Sequence, residues 1–542
     1  MPTSKPTEVD TLISNANNNN RHDNVPVHGI RPSTSIESLR SRHSHIKFVD
    51  DEHATQEAEM TADGVLNSYG TSNPHQLMVF CTMALIWTIM ALPLLVSAFF
   101  IGDLCLDERN CTLTPGSLIE EFHLVGAKSQ WADYSTMTFV LGNMLGASTI
   151  SRFSDVKGRR PALLLSLFGL GLFGIVSAYS PNIFVFMVFR LIQGIFLPGC
   201  GMTNWVLAYE STSMKLRSYS ALVFGLFWVV GYFVLAPICY FFVSWRHQII
   251  ASSLPSLVCA IGYYFFLPES FHFMVSKGMV DQLKVWYRAA NRWSKWPRDE
   301  NEVEHLVKKH GIESQTSVDK DKSEGFICTL IKQKVLLMYT AVLAYLWTCD
   351  SFVYYGLSLI STTLAGNRYV NFVLAGLVEI PSYIVSPYLL EVMGRRGFVS
   401  FIHLLTSFAF IGTIFITNET VSMGFWLIGK FGIACAYTCL YVYGSEVFPT
   451  VLRSGCIGIC LFLERIGGIT APMVRSMSVI SPNLPNVFFA VTAGLAALLT
   501  LLLPETRGLE LPDLTCEIAE PPERKLSRAP SRKHTNTNSS VI

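Results

Sequence analysis

"SDVKGRRP", residues 154–161, and "LEVMGRRG", residues 390–397, are one pattern written twice. Each sets an acid (Asp155, Glu391) ahead of a glycine that is followed directly by two arginines (Arg159 and Arg160, Arg395 and Arg396). The glycine permits a tight turn. Arginines at a helix end can reach the carboxylates and carbonyls of neighbouring helices. A second echo lies further on. "YESTSMKLR" supplies Glu210 and Arg217, "GSEVFPTVLR" supplies Glu446 and Arg453, and the acid-to-arginine spacing is the same in both. In any single loop such charges would simply mark one side of a membrane. Their doubling argues for an internal repeat, with these residues as an interdomain latch that shuts one side and parts as two halves rock.

The surroundings support a membrane reading. The chain has 542 residues, 50% hydrophobic and 15% charged, where a soluble protein would carry about a quarter charged residues. A net charge of +1 gives no nucleic-acid footprint. Apolar runs of about 20 residues, enough to span a bilayer, fall at 77–101, 131–151, 161–180, 183–208, 218–241 and 247–267. Six more follow at 335–360, 369–390, 397–417, 421–444, 454–477 and 486–503. The expected fold is all-α, a polytopic membrane protein with twelve transmembrane helices in two pseudo-symmetric six-helix bundles. The divisions are a disordered N-terminal tail 1–75, a first bundle 76–267, a linker 268–334, a second bundle 335–504 and a C-terminal tail 505–542. No cleavable signal peptide is expected, because no apolar core segment opens the chain.

Orientation follows from the excess of Lys and Arg in alternate loops. Arg152, Lys157, Arg159, Arg160, Lys215, Arg217, Arg395, Arg396 and Arg453 outweigh Arg109, Lys128, Arg246, Arg368 and Arg475. Both termini and the linker are thus expected in the cytoplasm, and the plasma membrane is the expected location. The loop 102–130 then lies outside, with Asn110 as the favoured glycosylation site over the sequon at Asn418. Cys105 and Cys111 share that loop as the pair an oxidising compartment would join. The remaining cysteines lack histidine partners at ligand spacing, so no metal is expected. "GLGLFG" at 169–174 lies inside an apolar run and reads as helix packing, not a phosphate loop. No cofactor and no enzymatic activity are expected.

Over residues 75–515 the chain resembles the major facilitator superfamily, and more closely its organic cation, organic anion and carnitine transporters, solute carrier family 22. The motifs are "GRRP" at 158–161, "PESFHFMVSKG" at 268–278 and "SFVYYGLSL" at 351–359. They continue with "NFVLAGLVEIPSY" at 371–383, "YVYGSEVFPTVLR" at 441–453 and "LPETRGLELPD" at 503–513. The chain departs from the family pattern in a short first external loop, in Ser151 for a glycine and in Val156 for an arginine.

A charge at mid-membrane costs about 2.5–3.5 kcal/mol, so Asp350, Glu379, Lys430, Glu464 and Arg465 demand a reason. Glu464 and Arg465 sit together in "LFLERIGGITAP", 461–472, about 100° apart on a helix. One is expected to face a cavity and the other a neighbouring helix. The resemblance places Arg465 where anion and carnitine carriers have arginine, suited to a substrate carboxylate. It places Glu379 where cation and carnitine carriers have an acid that would face an ammonium. The alternative is that Glu379 pairs with Arg465 or Lys430 to hold the bundle together. Asp350 reads as a protonatable group or a local helix contact. Trp205, Trp228, Trp347, Tyr354, Tyr355 and Tyr437 match positions lining the family's cavity, where aromatic faces attract alkylammonium groups. The expected function is alternating-access transport of small organic ions, organic cations or carnitine-like zwitterions first. An organic anion transporter, a sugar porter and a non-transporting receptor are the alternatives. A monomer in the lipid bilayer is expected, with a proton or sodium as the candidate coupling ion.

Overall fold

The structure, a computed structural model, describes residues 61–104, 113–294, 297–318, 330–449 and 452–508. Asn110, Cys105, Cys111 and the two tails beyond 60 and 509 lie outside the described residues. The helices of the first half include α1 Ala62–Ser68, α2 Pro74–Leu95, α3 Gln130–Lys157, α4 Arg159–Ser177, α5 Ile183–Pro198, which a π-turn and Asn204–Ser211 continue, α6 Ser220–Phe241 and α7 Trp245–Phe266. Three helices lie between the halves: α8 Phe271–Ser276, α9 Val280–Asn291 and α10 Glu302–Val318. The second half holds α11 Lys334–Ile360, α12 Arg368–Leu377, α13 Glu379–Met393, α14 Arg395–Phe415, α15 Glu419–Val447, α16 Arg453–Thr470, α17 Met473–Ile480 and α18 Leu484–Thr500.

Local chemistry sets where these helices begin. Asn73, Asn182, Asn367 and Asn418 accept hydrogen bonds from the first backbone N–H groups of α2, α5, α12 and α15, groups that have no partner within a helix. Helices α4 and α14 instead start abruptly at Gly158 and Gly394, whose φ of 113° and 80° suits glycine alone.

Among the described residues nine helical runs are long and apolar enough to cross a bilayer, and the pair α16–α17, bent by 41°, makes a tenth. Helices α3 and α18 complete the expected twelve, each packed along a spanning neighbour. Helix α3 falls outside the hydropathy pattern because Asp133, Asn143, Arg152, Asp155 and Lys157 ride on it. Helix α18 is only 17 residues long.

Lipid gives apolar side chains no reason to leave it, so small residues that let backbones touch hold such helices together. A Cβ on Gly142 or Gly146 of α3 would lie 2.1 or 2.0 Å from a carbonyl oxygen of α5. In the second half Gly467 of α16 seats against Thr348 of α11, where a Cβ would be 2.1 Å from the carbonyl. The equivalent pair in the first half, α2 and α6, meets at Gly231, 2.7 Å from Ala91 by the same measure. Outward faces carry exposed apolar side chains such as Phe168, Val258 and Phe408, as contact with acyl chains requires.

Residues 61–75 correct the expectation of a disordered tail. Val65, Leu66 and Tyr69 pack with Phe271, Trp286, Tyr287 and Val303 into a small separate core built from α1 and α8–α10. Tyr69 donates to Asn291 at 2.7 Å, and Asn73 donates to the Ala290 carbonyl at 3.0 Å. A helix of 7 residues is too short to be stable alone, so its order depends on partners distant in the chain.

Two expectations follow. Gly467→Val should drive α11 and α16 apart and destabilise the fold by about 1–3 kcal/mol, read as earlier aggregation on heating in size-exclusion chromatography. Gly458→Val on the same helix, where a Cβ meets open space, should change little. Asp63 accepts from Arg217 at 2.6 Å and lies 3.0 Å from His272. Burial alone would raise its carboxyl, but the hydrogen bond and charge of Arg217, with His272, hold it below the ordinary carboxylate value. A carboxyl held low stabilises the fold above its ordinary pKa, and that contribution vanishes as pH falls through the lowered value. Hydrogen exchange in α1, corrected for intrinsic rates, should therefore be slow at neutral pH and quicken in acid. Asp63→Asn should exchange fast throughout.

Candidate substrate cavity and its charge networks

The doubled turns form doubled networks. In the first half Arg159 grips Glu210 with Nε at 3.0 Å and Nη2 at 3.2 Å, and reaches Asp155 at 3.1 Å. In the second, Arg395 holds Glu446 with Nε at 2.9 Å and Nη2 at 3.1 Å, and Glu391 at 2.8 Å. A third limb escaped the sequence reading. Glu269 accepts from the backbone N–H groups of Arg159 and Arg160 at 2.9 and 3.0 Å, and Glu505 accepts from those of Arg395 and Arg396 at 2.8 and 3.1 Å. Each carboxylate thereby caps a helix N-terminus, where negative charge is favoured. The neighbouring hydroxyls repeat too: Ser270 donates to Glu210, and Thr506 donates to Glu446 at 2.5 Å. The signal was present in "PES" at 268–270 and "PET" at 504–506.

Arg217 and Arg453 do not take Glu210 and Glu446; each turns its Nε to a carbonyl five residues back, Thr212 at 2.9 Å and Phe448 at 3.3 Å. Arg160 donates to the Tyr264 carbonyl at 2.6 Å. The latch expected between the halves is, in this structure, two separate networks, one inside each half. Among the described residues no ion pair joins them.

Bonds between the halves gather at the centre and at the opposite end. Arg475 of α17 donates to the carbonyls of Ser97 and Ala98, at 3.3 and 2.8 Å, and to Leu359 at 3.2 Å. Ser476 donates to Asp133 at 2.5 Å, Thr362 donates to Ala98 at 2.8 Å, and Phe99 stacks on Tyr369. That end is sealed.

At the centre, Arg465 lines a hollow with Thr136 and Asn143 of α3 and Ser351 and Tyr355 of α11. Its side chain keeps 16% exposure, while Glu464 is fully buried 3.6 Å away. Glu464 accepts a 2.5 Å hydrogen bond from Tyr437 of α15. The adjacent charges thus divide as helix geometry demands, one to the hollow and one to a neighbouring helix. Among the described residues Arg465 Nε, Thr136 Oγ1, Asn143 Oδ1 and Ser351 Oγ are buried without a hydrogen-bonding partner. The last three had no sequence signal, since single polar residues in apolar runs are commonplace.

Glu379 is sealed from the hollow. It meets Lys430 at 3.0 Å with neither side chain exposed, and accepts from Tyr354 at 2.9 Å and Tyr383 at 3.3 Å. Lys430 also donates to Ser358 at 2.9 Å and lies 3.5 Å from the centre of the Tyr354 ring. Trp228 extends the set across the halves, donating to Tyr354 at 2.7 Å. Here the acid's charge is already answered, because an unpaired ion in this interior would be far more costly than the pair. Trp347 is fully buried against Gly444 and Tyr441, behind the cavity wall. Trp205 belongs to an aromatic cluster with Trp87, Tyr209 and Phe224. Tyr355 is therefore the expected aromatic that reaches the hollow beside Arg465.

Comparison with known proteins accords with this architecture. Residues 52–516 match the family model described as "Sugar (and other) transporter". A putative transporter of Caenorhabditis elegans is 33% identical over 465 residues, covering 85% of this chain and 92% of the relative. The organic cation transporter protein of Drosophila melanogaster is 30% identical over 400 residues, 73% of each chain. Solute carrier family 22 member 3 of Mus musculus is 29% identical, over 81% of this chain and 78% of its own. Among solved structures, the inward open conformation of the xylose transporter XylE from E. coli aligns with a TM-score of 0.60 at 16% identity, covering 80% of this chain and 98% of that one. The chain is thus an integral, multi-pass transporter of small solutes that belongs to the major facilitator superfamily and, within it, to solute carrier family 22.

Proposed function

We propose that the protein carries small organic ions bearing a carboxylate, carnitine-like zwitterions first and organic anions second, by alternating access. The observation that carries this reading is the hollow at Arg465. It offers one partly exposed guanidinium and three uncharged polar atoms without partners, a set that would receive a carboxylate in fork geometry. Both nearby acids are engaged, Glu379 by Lys430 and Glu464 by Tyr437 and Arg465. A cargo with only positive charge finds no free carboxylate there, which favours zwitterions over plain organic cations, the two classes the sequence put first together. The face of Tyr355 suits the ammonium of a zwitterion. A sugar would want neutral hydrogen-bonding amides around it, and a guanidinium at the centre argues against that cargo.

The excess of Lys and Arg at the end holding the Gly158 and Gly394 turns supports a cytoplasmic location for that end and for both termini. The end where the halves are bonded to each other would then face outwards, with the plasma membrane as the site. Since the hollow is lined within one chain, a monomer suffices for transport.

Uptake of labelled carnitine, tetraethylammonium, an aromatic carboxylate and glucose into proteoliposomes tests the cargo. Carnitine or the aromatic carboxylate should be taken up, and Arg465→Ala should cut that uptake about 10- to 100-fold, the worth of a charged hydrogen bond. Arg465→Lys should recover part of it. Glucose or tetraethylammonium uptake indifferent to Arg465 would refute the reading, and no flux of any probe would favour a receptor. The orientation is tested separately: Asn110→Gln should remove a glycosidase-sensitive mass from the protein made in animal cells.

A further inference from the structure

Asp350 of α11 and His403 of α14 meet away from the hollow with neither side chain exposed. Nδ1 of His403 lies 2.8 Å from the Val399 carbonyl oxygen. A carbonyl only accepts, so Nδ1 carries a proton. Nε2 lies 2.8 Å from Asp350 Oδ1. Were both of those atoms bare, two lone pairs would face each other at hydrogen-bonding distance. One proton must therefore lie between them, whether as imidazolium with carboxylate or as imidazole with carboxylic acid. Either way the pair is uncharged as a whole and holds one proton more than free carboxylate and neutral imidazole would. Asp350 Oδ2 has no hydrogen-bonding partner among the described residues. Losing the proton would leave a bare carboxylate in an interior that penalises it strongly.

The ionisable groups facing this carboxyl come from several helices. They are Cys349 on its own helix, His403 on α14, Cys439 on α15 and Glu464 on α16; α18 carries none. Glu464 is the link to the hollow, since it lies beside Arg465 and follows Leu463, whose carbonyl meets Thr348 two residues before Asp350. Helices α11 and α16 touch at the backbone here, with Thr348 donating to the Leu463 carbonyl at 3.1 Å.

We propose that the Asp350–His403 pair is a proton-binding site that couples proton movement to transport of the carboxylate cargo. The proposal rests on the reading of Arg465 as the carboxylate site. A cargo carboxylate competes with Glu464 for the guanidinium. Glu464 then presents a less neutralised negative charge to Asp350, which favours the protonated pair. Cargo and proton so strengthen each other's binding, and by linkage the effect is reciprocal. Only N–H and O–H bonds form and break: a proton from water is held between Nε2 and Oδ1 and is released to water with the cargo on the other side.

The test uses the full chain in proteoliposomes with the membrane potential clamped at zero. The probes are labelled carnitine and 4-sulfobenzoate, neither of which crosses lipid as a neutral acid. Exchange at equal pH reads the cargo site, and accumulation under a pH gradient reads coupling. The wild type should accumulate probe about tenfold for each unit of gradient, the ratio one proton per cargo sets. Asp350→Asn and His403→Gln should keep exchange but accumulate no probe above the outside concentration, with persisting exchange showing that they fold. Wild-type exchange without accumulation under the gradient would overturn the proton site and leave the cargo reading intact. Accumulation that survives in both variants would overturn it as well. Absence of exchange with either probe would overturn the cargo reading and the coupling with it.

Discussion

Lys430 and Glu379 meet at 3.0 Å, both wholly shielded from solvent, and that pairing shows the constraint under which the whole interior is built. Breaking such a buried pair by removing one member typically costs about 3–5 kcal/mol, and the other acids at this depth are likewise engaged. Asp350 has His403, and Glu464 has Tyr437 and Arg465. Selectivity then emerges from what the pairing leaves over. The acids are engaged, and a guanidinium retains a face towards the hollow.

The same accounting of polar groups shapes the two ends. At the arginine-rich end, Glu269 and Glu505 cap the helices that begin after Gly158 and Gly394, while Arg159 and Arg395 hold Glu210 and Glu446. Every one of these bonds stays inside its half, so each half is stiffened as a unit at that end. At the other end Arg475 and Ser476 cross from one half to the other. A molecule whose halves are internally braced at one end and mutually bonded at the other is suited to rocking about its centre, as transporters built of two repeats do.

Much of this was legible in the residues. The repeated glycine–arginine turns announced two related halves because a tight turn at a bilayer surface needs glycine and cations whatever surrounds it. The division of Glu464 and Arg465 followed from helical periodicity alone. The capping acids Glu269 and Glu505 were visible in principle, as twin Pro-Glu-hydroxyl triplets after the sixth and last spans. Helix α1 was not, because its few apolar residues acquire meaning only against Phe271 and Trp286. The partner of Glu379 was only narrowed: the sequence offered Arg465 or Lys430, and the rotation of α15 relative to α13 selects Lys430.

The sequence by itself determined which segments cross the membrane and that they fall into two echoing sets, because apolar length and glycine–arginine spacing act locally and need no third dimension. The tertiary structure decided which charges neutralise each other and which one remains for a solute. Side chains from α3, α11, α13, α14, α15 and α16 converge there from positions far apart in the chain, and the strength of a buried charge pair depends on ångström distances that no linear pattern encodes.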